Sequence, residues 1–112
     1  MLKKKYRLKQ KNVKRVLQKG EPFFSYNIVL NRQKNKLDYN RFAIIISGKS
    51  VYTNVERNFF RRKFYDFIAK NDILKKGFDF VFVIKTKSKF DKKNPESLAI
   101  FRKDLNFLIN KI

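Results

Sequence analysis

Two stretches leave this chain little choice of architecture. Residues 41–47, RFAIIIS, and 78–85, FDFVFVIK, are apolar on almost every residue rather than on alternate ones. A strand with one wet face alternates with period two, whereas a continuous apolar run of this length reads as a strand covered on both faces. Both strands therefore demand a sheet with cover above and below. Residues 41–47 read as a central strand, and 78–85 as a second strand with no wet face.

The cover comes from amphipathic segments. Thr53 and Glu56 have the spacing of a capping box, and helical periodicity runs from there to about Lys70, where KNDILKKG ends it. Asn94, Pro95 and Glu96 form a helix entrance of N-cap, first-turn proline and first-turn acid. Leu98, Phe101, Leu105, Leu108 and Ile112 then repeat as one apolar stripe. A shorter helix is read over residues 12–19, with Asn12 as N-cap, Val13, Val16 and Leu17 at helical spacing, and Gly20 as its stop.

Residues 21–32, EPFFSYNIVLNR, open at Pro22 and read as a strand or as a strand split in two. QKNKLDYN, residues 33–40, reads as a hairpin loop, and residues 85–93 as a basic loop with no site role. The order is α-β-β-α-β-α, with one more strand if the first β segment divides. One sheet with helices packed on it, an α+β sandwich, follows. A chain of 112 residues without repeat or linker makes a single domain, 1–112. Its first eleven residues carry six Lys or Arg and no acid, and read as a mobile basic arm whose end Leu8 anchors.

Charge narrows the function. Twenty-nine Lys and Arg against nine Asp and Glu give a formal charge of +20. Self-repulsion of that size works against compactness unless a polyanion is the partner, and RNA or DNA is the first candidate. Lys outnumbers Arg by 21 to 8, so clustered arginines carry more information than lysines. With no Cys and no His, disulfides, thiolate metal sites and the commonest general base are excluded. No apolar run approaches the roughly 18 residues of a membrane span, and the first residues lack the apolar core of a signal peptide. A cytoplasmic protein without a membrane partner is expected.

The helix after Thr53 has two faces. At about 100° per residue, Phe60, Phe64 and Phe67 fall together, flanked by Phe59 and Ile68, while Arg57, Asn58, Arg61, Arg62 and Tyr65 fall opposite. The Phe face reads as core. Three arginines and an asparagine within two turns suit phosphate forks and base stacking, which ammonium groups do not provide. The bland alternative is a solvated face with a local Arg62 to Asp66 pair. Asp38, Asp72, Asp79 and Asp91 lie in separate segments, so a lone two-metal nuclease is disfavoured. A small ribosomal or general RNA-binding protein remains the other reading.

These residues resemble the protein subunit of bacterial ribonuclease P, whose signature is an Arg-Asn-Arg-x-x-Lys-Arg-like helix entered from a strand and a Lys-Lys-containing loop. Arg41 and its strand, Ser47, Gly48 and Lys49, Val51, then Glu56, Arg57 and Asn58, and Arg61 and Arg62 match in order. The likeness extends over nearly the whole chain, from RLK at 7–9 to the final helix. Phe59 departs from it where a second Arg is usual, Gly48 where a Lys is frequent, and Val13 and Leu17 where many relatives have Phe.

The resemblance implies an αβββαβα fold with a left-handed βαβ crossover. It also implies the small partner of a catalytic RNA, with no obligate protein partner. That RNA removes the 5′ leader of precursor tRNA by Mg²⁺-dependent hydrolysis to a 5′-phosphomonoester, carries the chemistry and binds most of the metal. On this resemblance Lys49, Arg57, Asn58, Arg61 and Arg62 would contact the catalytic RNA. The leader would lie in a cleft between the first helix and the sheet, for which Val13, Lys14, Leu17, Phe24, Tyr26, Ile28 and Arg32 are candidates. Alternation along one strand is expected to aim Phe24 and Tyr26 at the same face.

Overall fold

A computed structural model describes residues 2–71, 73 and 76–112. After a short 3₁₀ turn (Lys4–Tyr6) come α1 (Gln10–Lys19), β1 (Glu21–Phe24), β2 (Ile28–Lys34), β3 (Arg41–Ile45), α2 (Asn54–Lys70), β4 (Phe78–Ile84) and α3 (Pro95–Ile109). The strands form one sheet in the order β1-β2-β4-β3. The first β segment does divide, at residues 25–27, giving the αβββαβα order.

Residues 33–40 do not make a hairpin. β2 pairs antiparallel with β4, and β3 pairs parallel with β4, so β4 lies between the two strands that this loop joins. β3 and β4 are linked through α2 as a βαβ unit. β3 is consequently an edge strand rather than a central one, although Phe42, Ala43 and Ile44 are all buried.

An exposed edge invites unwanted pairing. Here the N-terminal segment covers it: Arg7 bridges to Phe42 in parallel, and the Leu8 N–H donates to the Phe42 carbonyl at 2.7 Å. The expected mobile arm is accordingly docked from residue 2 onward. Leu2 is buried in the main core, and the Arg7 guanidinium donates to the Leu2 carbonyl at 2.9 and 3.2 Å.

Strand alternation divides the apolar side chains between two layers. Ile28, Leu30, Phe42, Ile44, Phe80, Phe82 and Ile84 meet Phe60, Phe64 and Ile68 of α2 and Phe101, Leu105 and Leu108 of α3. Rings lock this layer edge to face, Phe64 on Phe82 at 4.9 Å and Phe60 on Phe101 at 5.4 Å. Each such fully buried Phe contributes ~1.5–3 kcal/mol of burial. On the other face Ala43 and Val81 pack a smaller layer with Leu8, Val13 and Val16. Helices on both faces explain the continuous apolar runs.

The helix starts follow their local chemistry, with one exception. Thr53 Oγ1 accepts from the Glu56 N–H at 3.2 Å, and Asn94 Oδ1 from the Glu96 N–H at 3.0 Å. α1, however, begins two residues before Asn12 and has no side-chain cap. Pairing of Leu8 with β3 fixes its start instead, and the Asn12 N–H already donates to the Lys9 carbonyl at 2.9 Å. Gly77, at φ 102°, enters β4 where an added Cβ would lie 2.5 Å from the Leu37 carbonyl oxygen. Asn40 ties that entry down, its Oδ1 accepting from the Gly77 and Phe78 N–H groups at 3.0 and 2.9 Å.

Candidate nucleic-acid interface

α2 carries the arginine cluster because its opposite face is committed to the core. Phe60, Phe64 and Ile68 are fully buried, Phe67 and Phe59 partly so, while Asn58 and Arg62 are exposed. Phe59 packs edge-on against Phe60 at 5.2 Å, with the Lys63 ammonium 5.4 Å from its ring centroid. It extends the core to the border between the two faces.

The arginines are not equivalent. The Arg57 guanidinium turns back on the loop before the helix, donating to the Val51 carbonyl at 2.8 Å, the Tyr52 carbonyl at 3.3 Å and the Asn54 side chain. It thus braces residues 51–54. Arg61 donates to Asn58 Oδ1 at 2.6 Å, one turn away, which orients both side chains on the surface. Lys49 is exposed on the loop that Arg57 braces.

Arg61 and Tyr65 reach the edge of β3. With Leu8, Gln10, Val13, Ala43, Ile44, Ile45 and Ile46 they line a groove of about 340 Å³. The polar face of α2 is therefore continuous with the α1 side of the sheet. Arg7 lies over the Tyr65 ring, 5.2 Å from its centroid. Burial raises the Tyr65 hydroxyl above its ordinary pKa, and the charges of Arg7 and Arg61 pull the other way.

The seven residues expected at the α1 cleft separate into two groups. Val13 and the half-exposed Leu17 lie on α1 beside the exposed Lys14. Phe24, 61% exposed, pairs in register with Val29, which pairs with Val83 of the α1 layer, so Phe24 belongs to this face. Ile28 does not, being fully buried in the layer under α2 and α3.

Arg32 also points to the opposite face. It stacks between Phe23 and Phe78, 4.9 Å from each centroid, and pairs with Glu21 at 2.7 Å. Tyr26 sits in the turn after β1 has ended, where alternation no longer applies, beside Ile100, Lys103 and Asp104 of α3. Period two breaks at the divided strand, and that break sends Phe24 and Tyr26 to different surfaces.

Asp79 was missed as a site-building residue. It is fully buried and accepts from Arg15 Nη2 at 2.8 Å, Arg41 Nη2 at 2.8 Å, Arg41 Nε at 2.9 Å and Asn35 Nδ2 at 2.9 Å. Hydrogen bonding to Asp79 raises the pKa of Arg41 against the opposing effect of burial. Arg15 also donates to Gln33 Oε1 at 3.0 Å, which fixes α1 to β2 as well as β4. The lone acid inside FDFVFVIK was the available signal, since a carboxylate there needs a buried cationic partner. Asp38 and Asp91 lie elsewhere, Asp91 accepting from the Lys93 N–H at 2.9 Å, and Asp72 lies outside the described residues. Among the described residues no three His, Cys, Asp or Glu come together as a metal cage.

A family model described as Ribonuclease P matches residues 2–112. Among proteins of known role, the ribonuclease P protein component of Petrotoga mobilis is 38% identical over 83 residues, 72% of this chain and 70% of that protein. That of Pseudomonas savastanoi is 34% identical over 77 residues, 69% of this chain and 57% of that protein. Among solved structures, the ribonuclease P protein of Thermotoga maritima superposes with TM-score 0.74 at 24% identity, over 95% of this chain and 96% of that one. The Staphylococcus aureus protein does so with TM-score 0.75 at 22% identity, over 94% and 93%. The mixed α+β fold is shared with both.

Proposed function

The chain belongs to the ribonuclease P protein family, and on that premise we propose that it binds the catalytic RNA of ribonuclease P together with the single-stranded 5′ leader of precursor tRNA. Membership makes it a component of that ribonucleoprotein. The finer reading is that the RNA performs the endonucleolytic step and the protein supplies charge and shape. Bacterial tRNA processing in the cytoplasm is the setting this reading implies.

One observation carries the proposal: Arg61 and Val13 line the same groove. The cluster of Arg57, Asn58, Arg61 and Arg62 on the polar face of α2 offers guanidinium groups to the phosphates of a structured RNA. The adjoining face, with Val13, Leu17 and Phe24, suits an unpaired strand held by stacking and apolar contact between basic flanks, with Lys14 on the same helix. A leader in the groove and a catalytic RNA on α2 would therefore meet at Arg61. The bracing of Arg57 lowers the entropy lost when its fork engages phosphate.

Mg²⁺ belongs to the RNA in this reading. The described carboxylates are scattered or, like Asp79, saturated by arginines, so these residues fit no protein-held Mg²⁺.

The test is reconstitution. Precursor tRNA cleavage is expected to be absent with the protein alone, slow with the catalytic RNA at high Mg²⁺, and efficient with both. Cleavage by the protein alone, or no effect of the protein on the RNA's activity, would overturn the proposal.

A further inference from the structure

On sequence alone the basic loop after β4 has no site role. It is instead fastened to the loop that carries Lys49. The Phe90 N–H donates to the Ser50 carbonyl at 3.0 Å, the Ser50 hydroxyl to the Lys85 carbonyl at 2.7 Å, and the Lys89 ammonium to the Lys49 carbonyl. Phe90 is itself sunk in the core, 5.7 Å from Phe60 and 5.9 Å from Phe101. Two loops 40 residues apart in sequence thus form one braced surface.

Between them lies an open cleft of about 620 Å³. Lys49, Lys87 and Lys89 reach it from the two loops, and Tyr52 stands at its side with 87% of its surface exposed. A large aromatic ring left in water on a braced loop makes no fold contribution that would keep it there. Glu56 and Asp91 also border the cleft. Two carboxylates beside three ammonium groups oppose a bare anion, but they suit the N–H edge of an unpaired base whose own phosphates meet the lysines.

We infer that this cleft is a nucleotide subsite, in which Tyr52 stacks an unpaired base and Lys49, Lys87 and Lys89 hold the flanking phosphates. The inference rests on the reading of the chain as an RNA-binding subunit and adds a contact away from the α1 groove. The nucleotide comes from the catalytic RNA or from the precursor tRNA, and the chemistry of recognition is the same for both.

The probe is a short single-stranded oligoadenylate, with its affinity for the full chain measured by fluorescence anisotropy at moderate salt. Base stacking of ~1–3 kcal/mol makes Tyr52→Ala roughly tenfold weaker, while Tyr52→Phe stays within about twofold of the parent. Lys87→Ala should reduce the slope of log affinity against log salt by about 0.7. A matched RNA duplex should show no dependence on Tyr52. Equal affinity of Tyr52→Ala and the parent, or an equal loss for the duplex, would overturn the inference.

Thiouridine placed in the catalytic RNA or in the precursor tRNA leader then identifies the source in the assembled enzyme. A crosslink to residues 49–52 or 86–91 from either one supports the site, and crosslinks from neither reject it. Oligoadenylate binding needs no catalytic RNA, so its failure is separable from failure of the functional reading, which precursor tRNA cleavage reports.

Discussion

Replacing Asp79 with Asn tests how the candidate interface is held together. The change is nearly isosteric, so it creates no cavity and isolates the polar contribution. Asp79 accepts four hydrogen bonds from Arg15, Arg41 and Asn35, two on each oxygen. An amide keeps one acceptor oxygen and turns an NH₂ toward the other two donors. If the oxygen takes the place that faces both Nη2 groups, the bonds from Arg41 Nε and Asn35 are lost and replaced by donor–donor contacts. Hydrogen bonds to charged groups are worth ~1.5–3 kcal/mol, and breaking a buried pair costs ~3–5 kcal/mol.

Exposure of the partners lowers these figures. The Arg15 side chain is 43% and that of Arg41 20% exposed, against 0% for Asp79, so water recovers part of each arginine's hydration. A loss of about 2–4 kcal/mol follows, a large share of the ~5–15 kcal/mol that holds a domain folded. The melting temperature should fall by roughly 8–16 °C, measured by circular dichroism in sulfate buffer. Hydrogen exchange should quicken most in α1 and at the start of β3, the elements that Arg15 and Arg41 anchor. Arg15→Gln alone should cost no more than about 1 kcal/mol and should couple to Asp79→Asn in a double-mutant cycle. A loss below about 0.5 kcal/mol, or strict additivity of the two changes, would refute the argument that this carboxylate docks α1.

Two further predictions concern α2. Arg57→Ala should weaken RNA binding and also destabilise the protein by about 1–2 kcal/mol, because its carbonyl contacts go with it. Arg61→Ala should weaken RNA binding alone. Urea unfolding set beside RNA affinity separates the two, and equal stability of both variants would contradict the bracing role. Tyr65 gives a pH dependence. Its folded pKa lies above the ordinary 10.0, so the unfolded chain ionises first, and its stabilising effect, intact below pH 10, is lost as pH rises through the raised value. Ultraviolet titration of the parent against Tyr65→Phe isolates this group, and Arg7→Gln should shift it further upward; a Tyr65 that titrates at or below its ordinary value would contradict the assignment.

Patterns confined to one segment were legible from the residues alone. Capping by Thr53 and Asn94, the apolar and polar faces of α2 and the burial of 41–47 and 78–85 on both sides all depend on neighbours within a few residues. They follow from helix and strand periods. The cluster of Arg57, Asn58, Arg61 and Arg62 was visible for the same reason, since the Phe residues between them fix which way they face.

Contacts between distant segments were decided only by the tertiary structure. Nothing in RFAIIIS distinguishes a central strand from an edge strand covered by residues 2–8, because burial reads the same whichever element supplies it. Ile28 and Arg32 share a strand with Val29, yet pairing with β4 sends them to the face away from α1. The division of the first β segment separates Phe24 from Tyr26, and no local period reports a divided strand. Asp79, Arg15 and Arg41 meet across three elements, and Tyr52 stands beside Lys87 and Lys89 because Phe90 is buried between α2 and α3. Sequence determined which side chains each element turns inward, through periods set by backbone geometry. Sheet order and loop docking determined which outward side chains became neighbours, because that depends on long-range pairing that no single segment encodes.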